Sequence, residues 1–548
     1  MRKSALRQAI VLGSAFLPAS FAIAQEAAQT ADGTIEEIVV IGQSTTFANN
    51  VVSESMINQQ SPITSILSTI DNLPGVSVQE GDTYGFDDWS TNVNMRGFQV
   101  NLDEQQIGTT IDGLPNGNSN YGGGAKANRY IDNGNMGGVE VSQGTADIAS
   151  RSNEALGGTL NFLTDNPMQE SNVQVNATLG EFEAERYYVR WDTGAWGNSD
   201  TYAWISASHQ RASDWVNGAA QNRRDHFAGK LTSEFGRRSM LTYYISYDDT
   251  HEDNYQRLFS AEDFENNPSW DQLTDEWSGI PYVDQSYRRG WSTLRENFFT
   301  YLKFEGDVTD GFNLSGALYY HDNSGRGDWV PPYIVDLVDD EGGPETEIQG
   351  GDTINGGDAI GRLYFVDPND ARVDPIDGCE STITFPYGGA GPEYDPTCHD
   401  RNSVPLQSYR HTHYGKERLG LTADFSWVIG DRESFGNELR GGLWYEDYER
   451  KEHRDWHKIT DTRAGFEYDR PAYWRQYDRE YPQETTKWYL EDTLSFAGVS
   501  LTLGLKQFLV DVERRDLFGD ADDADLNSDS DVLISGGVVW ETPLEGLE

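Results

Sequence analysis

The sequence predicts an antiparallel β-barrel that crosses a membrane, preceded by a small α+β domain. Three observations predict this class: an export signal at the start of the chain, apolar residues at every second position from about residue 171, and connections that alternate between short and long. The alternation of connections is the strongest of the three, because a soluble β-sandwich has no reason to sort its loops by length.

The first residues are typical of a secretory signal. Basic residues at positions 2, 3 and 7 are followed by an apolar stretch over 9–17 and by Ala22-Ile23-Ala24, a small-x-small cleavage site. We therefore predict that residues 1–24 are a signal peptide. No later run of about 18 apolar residues predicts a membrane-spanning helix, so the exported chain is periplasmic, secreted or an outer-membrane barrel.

Alternation of apolar and polar residues indicates half-buried strands. In residues 419–427 the apolar side chains are Leu419, Leu421, Ala423, Phe425 and Trp427, with small or polar residues between them. We count about twelve such segments, several of them about as long as a tilted strand needs to cross a bilayer. Aromatic pairs at segment ends, such as Tyr243-Tyr244 and Trp488-Tyr489, are typical of residues at the lipid headgroups of an outer membrane.

The connections differ in length according to their order along the chain. Short ones follow the even-numbered segments, near residues 194–200, 235–239, 309–311, 428–437 and 497–498. Long ones follow odd-numbered segments, near residues 250–296, 322–412 and 450–485. Outer-membrane barrels have this asymmetry, with short periplasmic turns and long external loops.

The region 36–168 resembles the energy-coupling box and the plug of TonB-dependent outer-membrane receptors. Residues 36–42 resemble the TonB box, and the region also contains a helix-like piece at 57–72. The plug motifs are matched, in the family's order, at residues 73–78, 94–98, 110–115, 139–144 and 155–162. The resemblance implies a leader at 25–43, a plug domain at 44–168 and barrel strands at 169–548. Family barrels have about 22 strands, so about twelve imply a partial barrel from a truncated or partial gene product.

The resemblance also implies partners and site residues. The TonB box would pair as a strand with the periplasmic energy-transducing protein TonB; its residues are Glu36, Glu37, Ile38, Val39, Val40, Ile41 and Gly42. The outer apices of the plug, at 80–90 and 116–129, would meet the ligand, unless they are merely solvent-exposed loops. Their candidate residues are Tyr84, Phe86, Trp89, Asn118, Asn120, Tyr121 and Arg129.

One plug motif departs from the family pattern. Gln143 stands where the family has a basic residue that faces barrel carboxylates. Because glutamine cannot form an ion pair, we predict that Arg96 is the residue that pairs the plug with the barrel and takes part in gating.

The remaining chemistry of the sequence is sparse. Cys379 and Cys398 predict a loop disulfide in an oxidising compartment, with a metal pair beside His399 as the weaker alternative. Two histidine pairs are candidate metal ligands, at strand spacing in 411/413 and at helical spacing in 453/457, and the acidic runs at 248–249 and 339–341 are candidate Ca²⁺ ligands. Solvated loops explain all of these as well, so we predict no metal site. We also predict no cofactor and no enzyme activity, because the sequence has no evident Ser/His/Asp set, phosphate-binding loop or CxxC pair.

The function implied by the resemblance is active import of a scarce nutrient, with a ferric siderophore as the expected cargo. Carbohydrate and cobalamin uptake are alternatives within the class, and a passive porin or surface adhesin is an alternative outside it. The chain has 41 basic and 90 acidic residues, a formal charge of -49, which disfavours nucleic-acid binding. An anionic iron chelate would prefer a basic lumen, which the composition of such an acidic chain does not indicate.

Overall fold

The computed structural model describes residues 49–540 except 88–89, 102–104, 117–130, 145, 153–154, 198, 237, 257, 259, 339–343, 346–351, 387, 432–434, 460–470 and 520. The predicted signal peptide and the TonB box at 36–42 lie outside these residues. In the first part of the chain the strands are β1 (Asn49–Ser53), β2 (Val76–Gln79), β3 (Asn92–Met95), β4 (Phe98–Val100), β5 (Gly108–Ile111), β6 (Leu114–Pro115), β7 (Met136–Gln143) and β8 (Gly158–Thr164).

These eight strands form the small α+β domain. A five-stranded sheet has the order β1-β7-β8-β5-β6, and a three-stranded sheet has the order β2-β3-β4. Side chains such as Val52, Ile111, Val139 and Phe162 are fully buried in its core. The helix-like piece predicted at 57–72 is wrong as one helix: Pro62 restricts the backbone, and only α1 (Glu54–Ile57) and a 3₁₀ turn at Ile66–Thr69 form there.

The strands that follow form one large antiparallel meander. They are β9 (Ser171–Leu179), β10 (Glu185–Thr193), β11 (Thr201–Ala212), β12 (Asn222–Phe235), β13 (Ser239–Asp253), β14 (Ser292–Thr309) and β15 (Phe312–Trp329). After the smaller strands β16 (Ile334–Val338), β17 (Pro344–Glu345), β18 (Ile354–Asn355), β19 (Asp358–Leu363), β20 (Phe365–Val366) and β21 (Val404–Pro405), the meander continues with β22 (Gln407–Asp431), β23 (Phe435–Ile459), β24 (Trp474–Phe496), β25 (Val499–Asp516), β26 (Ala524–Asn527) and β27 (Leu533–Trp540).

Each strand of the meander pairs with the next one in sequence, from β9 to β15 and then from β22 to β25. Both β26 and β27 pair with β25 and together form an interrupted twelfth strand. Apolar side chains at alternate positions, such as Leu419, Leu421 and Leu443, are exposed, as expected of a lipid-facing surface. This architecture confirms the predicted fold class, an antiparallel barrel sheet with an N-terminal α+β domain.

The predicted loop boundaries were wrong at several strand ends. The structure continues β15 to Trp329, β23 to Ile459 and β24 back to Trp474, inside segments that the sequence assigned to loops. Beyond the apolar band both faces of a strand are polar, so the hydrophobic alternation disappears although the backbone ladder continues. Strands β22 and β23 have 25 residues each, well beyond the roughly 9–11 that a tilted strand needs to cross a bilayer.

The long connections have structure of their own. Residues 254–291 contain α2 (Ala261–Asn266) and α3 (Pro281–Asp284), and residues 330–406 contain the small sheet β17-β16-β19. A disulfide joins Cys379 to Cys398 in this second connection. The further 3₁₀ turns are Asn133–Asn135, Arg288–Gly290, Pro392–Tyr394 and Pro396–Cys398. In the described part of the chain, no helix has the length and apolar character that a membrane crossing requires.

The short connections are tight turns. Ala497 and Gly498 join β24 to β25, and both have positive φ, 49° and 76°. Positive φ at both central residues is the geometry of a two-residue hairpin turn, which follows the right-handed twist of the paired strands. The short turn predicted at this position is therefore present.

Candidate functional site

Contacts between the small domain and the barrel strands show which strand face points into the lumen. Asp424 of β22 pairs with Arg151, Arg440 of β23 pairs with Asp147, and Lys487 of β24 donates to the Ser150 carbonyl. Because side chains alternate along a strand, even positions of β22 and β23 and odd positions of β24 point inward. The small domain therefore occupies the position of a plug against the inner face of the sheet.

The most buried ion pair of this interface joins Asp132 of the plug to Arg186 of β10. The two side chains are 4% and 2% exposed, and Ser208 of β11 donates a second hydrogen bond to Asp132 at 2.7 Å. Burial would raise the pKa of Asp132, but the charges of Arg186, His226 and Arg224 lower it to about 2. Asp132 is therefore an ionised carboxylate held between the plug and three basic barrel residues.

Two further barrel cations bind the segment that leads out of the plug. Arg190 of β10 forms an ion pair with Asp165 and donates to the carbonyl of Asn166 at 3.1 Å. Lys230 of β12 donates to the carbonyl of Thr164 at 3.1 Å and to the side chain of Asn166 at 2.8 Å. The barrel thus holds this exit segment by charge-assisted hydrogen bonds.

Two further ion pairs join the plug to β22 and β23, one through an arginine of the plug and one through an arginine of the barrel. Arg440 of β23 lies 2.9 Å from Asp147 and 2.6 Å from Glu491. Arg151 of the plug pairs with Asp424 of β22. In three of the four ion pairs, those at Asp132, Asp165 and Asp147, the plug supplies the carboxylate and the barrel supplies the arginine.

The structure places Arg96 differently from the prediction. Its Nε donates to Oε1 of Gln143 at 2.9 Å, and Gln143 in turn donates to the carbonyl of Pro74 at 2.8 Å. Both contacts lie inside the plug, because the amide of Gln143 offers an oxygen to the guanidinium of Arg96. The plug–barrel ion pairs of the described residues are made by Arg151, Arg186, Arg190 and Arg440, which the sequence did not single out, since an isolated arginine on a strand carries no motif.

The predicted ligand residues at the plug apices have mixed outcomes. Phe86 is 3% exposed and packs against Ile63, Ala184 and Ala212, so in this structure it lies in a small core and not at an open surface. Tyr84 donates its hydroxyl hydrogen to the carbonyl of Glu181, beyond β9, at 3.0 Å. The cavity beside Tyr84 has a volume of about 30 Å³, room for a water molecule only.

The other apex candidates lie outside the described residues and stay predictions; they are Trp89, Asn118, Asn120, Tyr121 and Arg129. The acidic run at 248–249 lies on β13 and not in a loop. Asp248 accepts hydrogen bonds from Arg224 at 2.6 Å and from His226 at 2.7 Å. Its carboxylate therefore belongs to a buried network that adjoins the plug.

A larger cavity, of about 350 Å³, lies between the plug and the inner face of β24 and β25. Its plug side includes Ser150 and Ser152, and its barrel side includes Lys487, Lys506 and Phe508. Its size is that of a small-ligand site, and the two lysines give its barrel side a basic character.

Above the plug contacts, the inner face of β22–β24 is rich in cations. We name this surface the basic inner face; it consists of Lys416, Arg418, Arg450, Arg454 and Arg479. Their inward orientation follows from the register, in which Arg450 opposes Tyr481, Glu452 opposes Arg479, and Arg454 opposes Tyr477. Glu446 and Glu452 are the acidic residues at inward positions of these three strands above Asp424, so cations predominate.

Tyrosine rings accompany these arginines. The guanidinium carbon lies 4.8 Å from the ring centre of Tyr448 for Arg418, and 3.9 Å from that of Tyr481 for Arg450. Arg454 and Arg479 lie 5.1 Å and 5.0 Å from the ring of Tyr477. Such contacts fix the positions of the guanidinium groups, whose planar sets of donors suit carboxylate or phenolate oxygens.

Carboxylates balance part of this charge. Glu446 lies 3.6 Å from Arg418, Glu452 lies 3.3 Å from Arg450, and Asp516 of β25 lies 3.2 Å from Arg479. Other acidic residues of the same strands, such as Glu417 and Glu449, occupy outward positions. On these three strands the inner face is therefore basic although the whole chain is acidic, a local difference that the net charge of the chain does not reveal.

Comparison with known proteins gives one family match and several structural ones. Residues 42–159 match the family model described as the TonB-dependent Receptor Plug Domain. The fold is similar to that of the unliganded ferric citrate transporter FecA, with a TM-score of 0.62 and 14% identity over 90% of this chain and 60% of that one. No curated protein matches by sequence.

Two further receptors have the same fold. The siderophore receptor PiuA from Acinetobacter baumannii gives a TM-score of 0.57, with 14% identity over 91% of this chain and 62% of its own. The ferripyoverdine receptor from the outer membrane of Pseudomonas aeruginosa gives 0.60, with 14% identity over 90% and 55%. The chain therefore spans between 55% and 62% of the length of these three proteins.

Proposed function

We propose that this chain, a TonB-dependent receptor with a plug domain and the strands of an outer-membrane barrel, takes part in the active import of an anionic ferric siderophore. The basic inner face carries the proposal. A ferric chelate with carboxylate or catecholate oxygens presents negative charge around the metal, and guanidinium groups bind such oxygens in pairs. The three similar receptors are named as transporters or receptors of ferric citrate, of a siderophore and of ferripyoverdine.

Import requires that the plug moves, and its interface with the barrel makes this a controlled step. The ion pairs at Asp132, Asp165 and Asp147 hold the plug at separate places on the sheet. Breaking several such pairs together is costly, so thermal motion alone opens the path rarely. A pull on residues 36–42, paired as a strand with the periplasmic protein TonB, would supply the work. The protein's own role is transport, not catalysis.

The experiment compares inward cations of β23 and β24 with outward cations of β23 and β25. The inward variant is Arg450→Ala/Arg454→Ala/Arg479→Ala, and the control is Lys451→Ala/Arg515→Ala, whose side chains lie on the outer face. Binding of radiolabelled ferric siderophores of different charge is measured on whole cells, together with uptake. A hydrogen bond to a charged group contributes about 1.5–3 kcal/mol, so losing even one predicts at least a roughly tenfold weaker affinity.

The control variant should bind every siderophore like the wild type. A neutral ferric chelate should lose much less affinity than an anionic one in the inward variant. Equal affinity of the inward variant and the wild type for every anionic ferric chelate tested would overturn the proposal.

Carbohydrate uptake is the second candidate, because the half-buried Tyr477 and Tyr481 place flat rings on the same inner face. It predicts that Tyr477→Leu/Tyr481→Leu abolishes binding of a neutral oligosaccharide, whereas the arginine variant retains it. Passive diffusion is disfavoured, since the interface described above closes this part of the lumen with the plug. No observation on the described residues favours cobalamin.

A further inference from the structure

Four of the nine histidines of the chain lie together on the face of β22 and β23 that points away from the lumen. His411 and His413 occupy odd positions of β22, in line with the exposed Leu419 and Leu421 nearer the membrane. His453 and His457 occupy odd positions of β23. The sequence suggested that these two histidines, four positions apart, lie on a helix. They lie instead on one strand, where residues i and i+4 also share a face.

We propose that His413, His453 and Asp455 bind a divalent transition-metal ion at this site. In the register of the two strands, His413 is directly opposite His453, and His411 is directly opposite Asp455. One possible ligand atom from each of His413, His453 and Asp455 lies within 4.8 Å of the other two. The two imidazole rings are stacked, with centres 4.3 Å apart and planes at 13°.

Small side-chain rotations suffice to complete the site. Metal–nitrogen bonds of about 2.0–2.1 Å require the two imidazole nitrogens to approach closer than 4.8 Å, a change that χ1 and χ2 of half-buried histidines supply. The side chain of His453 is 30% exposed and that of Asp455 is 11% exposed, so the site is reachable from solvent. His411, whose ring lies 5.8 Å from that of His413, is a neighbouring imidazole on the same face.

Charges around the site position the carboxylate. Arg475 of β24 donates to both oxygens of Asp455, at 2.8 and 3.1 Å, while Oδ2 of Asp455 lies 3.7 Å from Nε2 of His453. A carboxylate has about four acceptor positions, so it can accept from a guanidinium and still bind a metal. Arg326 of β15, opposite His413, is itself paired with Asp328 at 3.1 Å, which offsets its charge.

The donor set selects the class of ion. Two imidazoles and one carboxylate suit Zn²⁺, Ni²⁺ or Cu²⁺, whereas Ca²⁺ and Mg²⁺ prefer oxygen ligands alone. The site lies on the opposite face of the strands from Arg454, so it is separate from the basic inner face. A bound ion would join β22 to β23 where these long strands extend beyond the apolar band. The inference therefore does not depend on the proposed cargo.

The test uses the full chain in detergent micelles, produced without a histidine tag. Zn²⁺ binding is measured by calorimetry, and the electron paramagnetic resonance of added Cu²⁺ reports how many imidazole nitrogens bind it. The wild type should bind one Zn²⁺ per chain at micromolar concentration and should show two coordinating nitrogens with Cu²⁺. His413→Ala/His453→Ala should weaken Zn²⁺ binding at least tenfold, and Asp455→Asn should weaken it less.

The control variant is His209→Ala/His251→Ala, because these histidines lie on β11 and β13, where each contacts an aspartate. It should bind Zn²⁺ like the wild type. Absence of saturable Zn²⁺ binding in the wild type, or unchanged binding in the His413/His453 variant, would overturn the inference. The Cu²⁺ spectrum of the wild type decides the matter should that variant fail to fold, since fewer than two nitrogens contradicts the site.

Discussion

Replacing Arg186 by methionine should loosen the plug, and this is the sharpest test of the interface. The substitution keeps an unbranched side chain of similar length but removes the guanidinium that pairs with Asp132. Both side chains are at most 4% exposed, so the carboxylate that remains stays buried with its charge. The matched control is Arg211→Met on β11, where Arg211 pairs with Glu185 on the outer face of the sheet and is 60% exposed.

The expected magnitude follows from burial. Removing one partner of a buried ion pair costs about 3–5 kcal/mol, because the other charge loses its compensation. Ser208 still donates to Asp132, and Arg224 and His226 still act on it by charge, so the lower end of this range applies. A loss of about 3 kcal/mol raises the population of the released plug roughly 100-fold, since every 1.4 kcal/mol is a factor of ten.

Hydrogen–deuterium exchange of the backbone amides of β7 measures this release in detergent micelles. Exchange through opening of the plug should become roughly 100-fold faster in the Arg186→Met protein. The Arg211→Met protein should exchange like the wild type, because exposed ion pairs contribute little. Equal exchange of β7 in the two variants would refute the claim that the Asp132 pair holds the plug against the barrel.

Three further predictions concern other parts of the chain. The pKa of Asp132 is lowered to about 2 from 3.8, so its contribution to plug docking should be complete above about pH 4 and lost as the pH falls toward 2. Hydrogen exchange of β7, measured at pH 7, 5 and 3, tests this prediction. A loss of docking already at pH 5 would contradict it. Val39→Pro should abolish energy-dependent uptake and leave surface binding of the ligand unchanged, because proline removes a strand hydrogen bond to TonB. Normal uptake by this variant would count against the proposed role of residues 36–42. Replacing Cys379 and Cys398 by serine should let a protease cut the 330–406 connection about tenfold faster or more, while the barrel strands stay protected. The reason is that a disulfide closing a loop of this length contributes about 3 kcal/mol of stability. An unchanged rate of cutting would contradict the prediction.

The sequence predicted the architecture well where apolar and polar residues alternate regularly along a strand. Leu419, Leu421 and their neighbours alternate because the strands have one apolar outer face, and the predicted short turns are present at Gly311 and Gly498. The plug was predicted from its motifs, whose glycines and prolines fix local backbone geometry. Prediction failed where the alternation disappears, at the polar outer ends of β23 and β24, because a backbone ladder needs no apolar face.

Site residues were harder to predict than strands. Arg186 and Arg440 look like ordinary strand residues until the register shows which face they share with the plug. Phe86 looked like a ligand contact because it sits at an apex, yet it packs into a small core between plug and barrel. His413 and His453 are 40 positions apart, and only the pairing of β22 with β23 brings them together. Contacts between residues distant in sequence depend on register, which a single chain specifies only through the side-chain pattern of each strand.

The distribution of charge connects the plug interface with the proposed cargo route. At the level of the plug, aspartates of the plug neutralise barrel arginines such as Arg186, Arg190 and Arg440. Above the plug, Arg454 of the basic inner face forms no ion pair with the described plug residues and donates instead to the side chains of Thr412 and Gln476. An anion entering from outside would compete for these donors. When the plug moves, its aspartates would leave the lower arginines, and an anionic chelate would meet cations along its path. A barrel in which Arg190 and Arg440 are both glutamine should therefore bind the chelate normally at the surface but import it more slowly, even though its plug is held less tightly. Faster import by that variant would show that plug release alone limits transport, and would refute this role for the lower arginines.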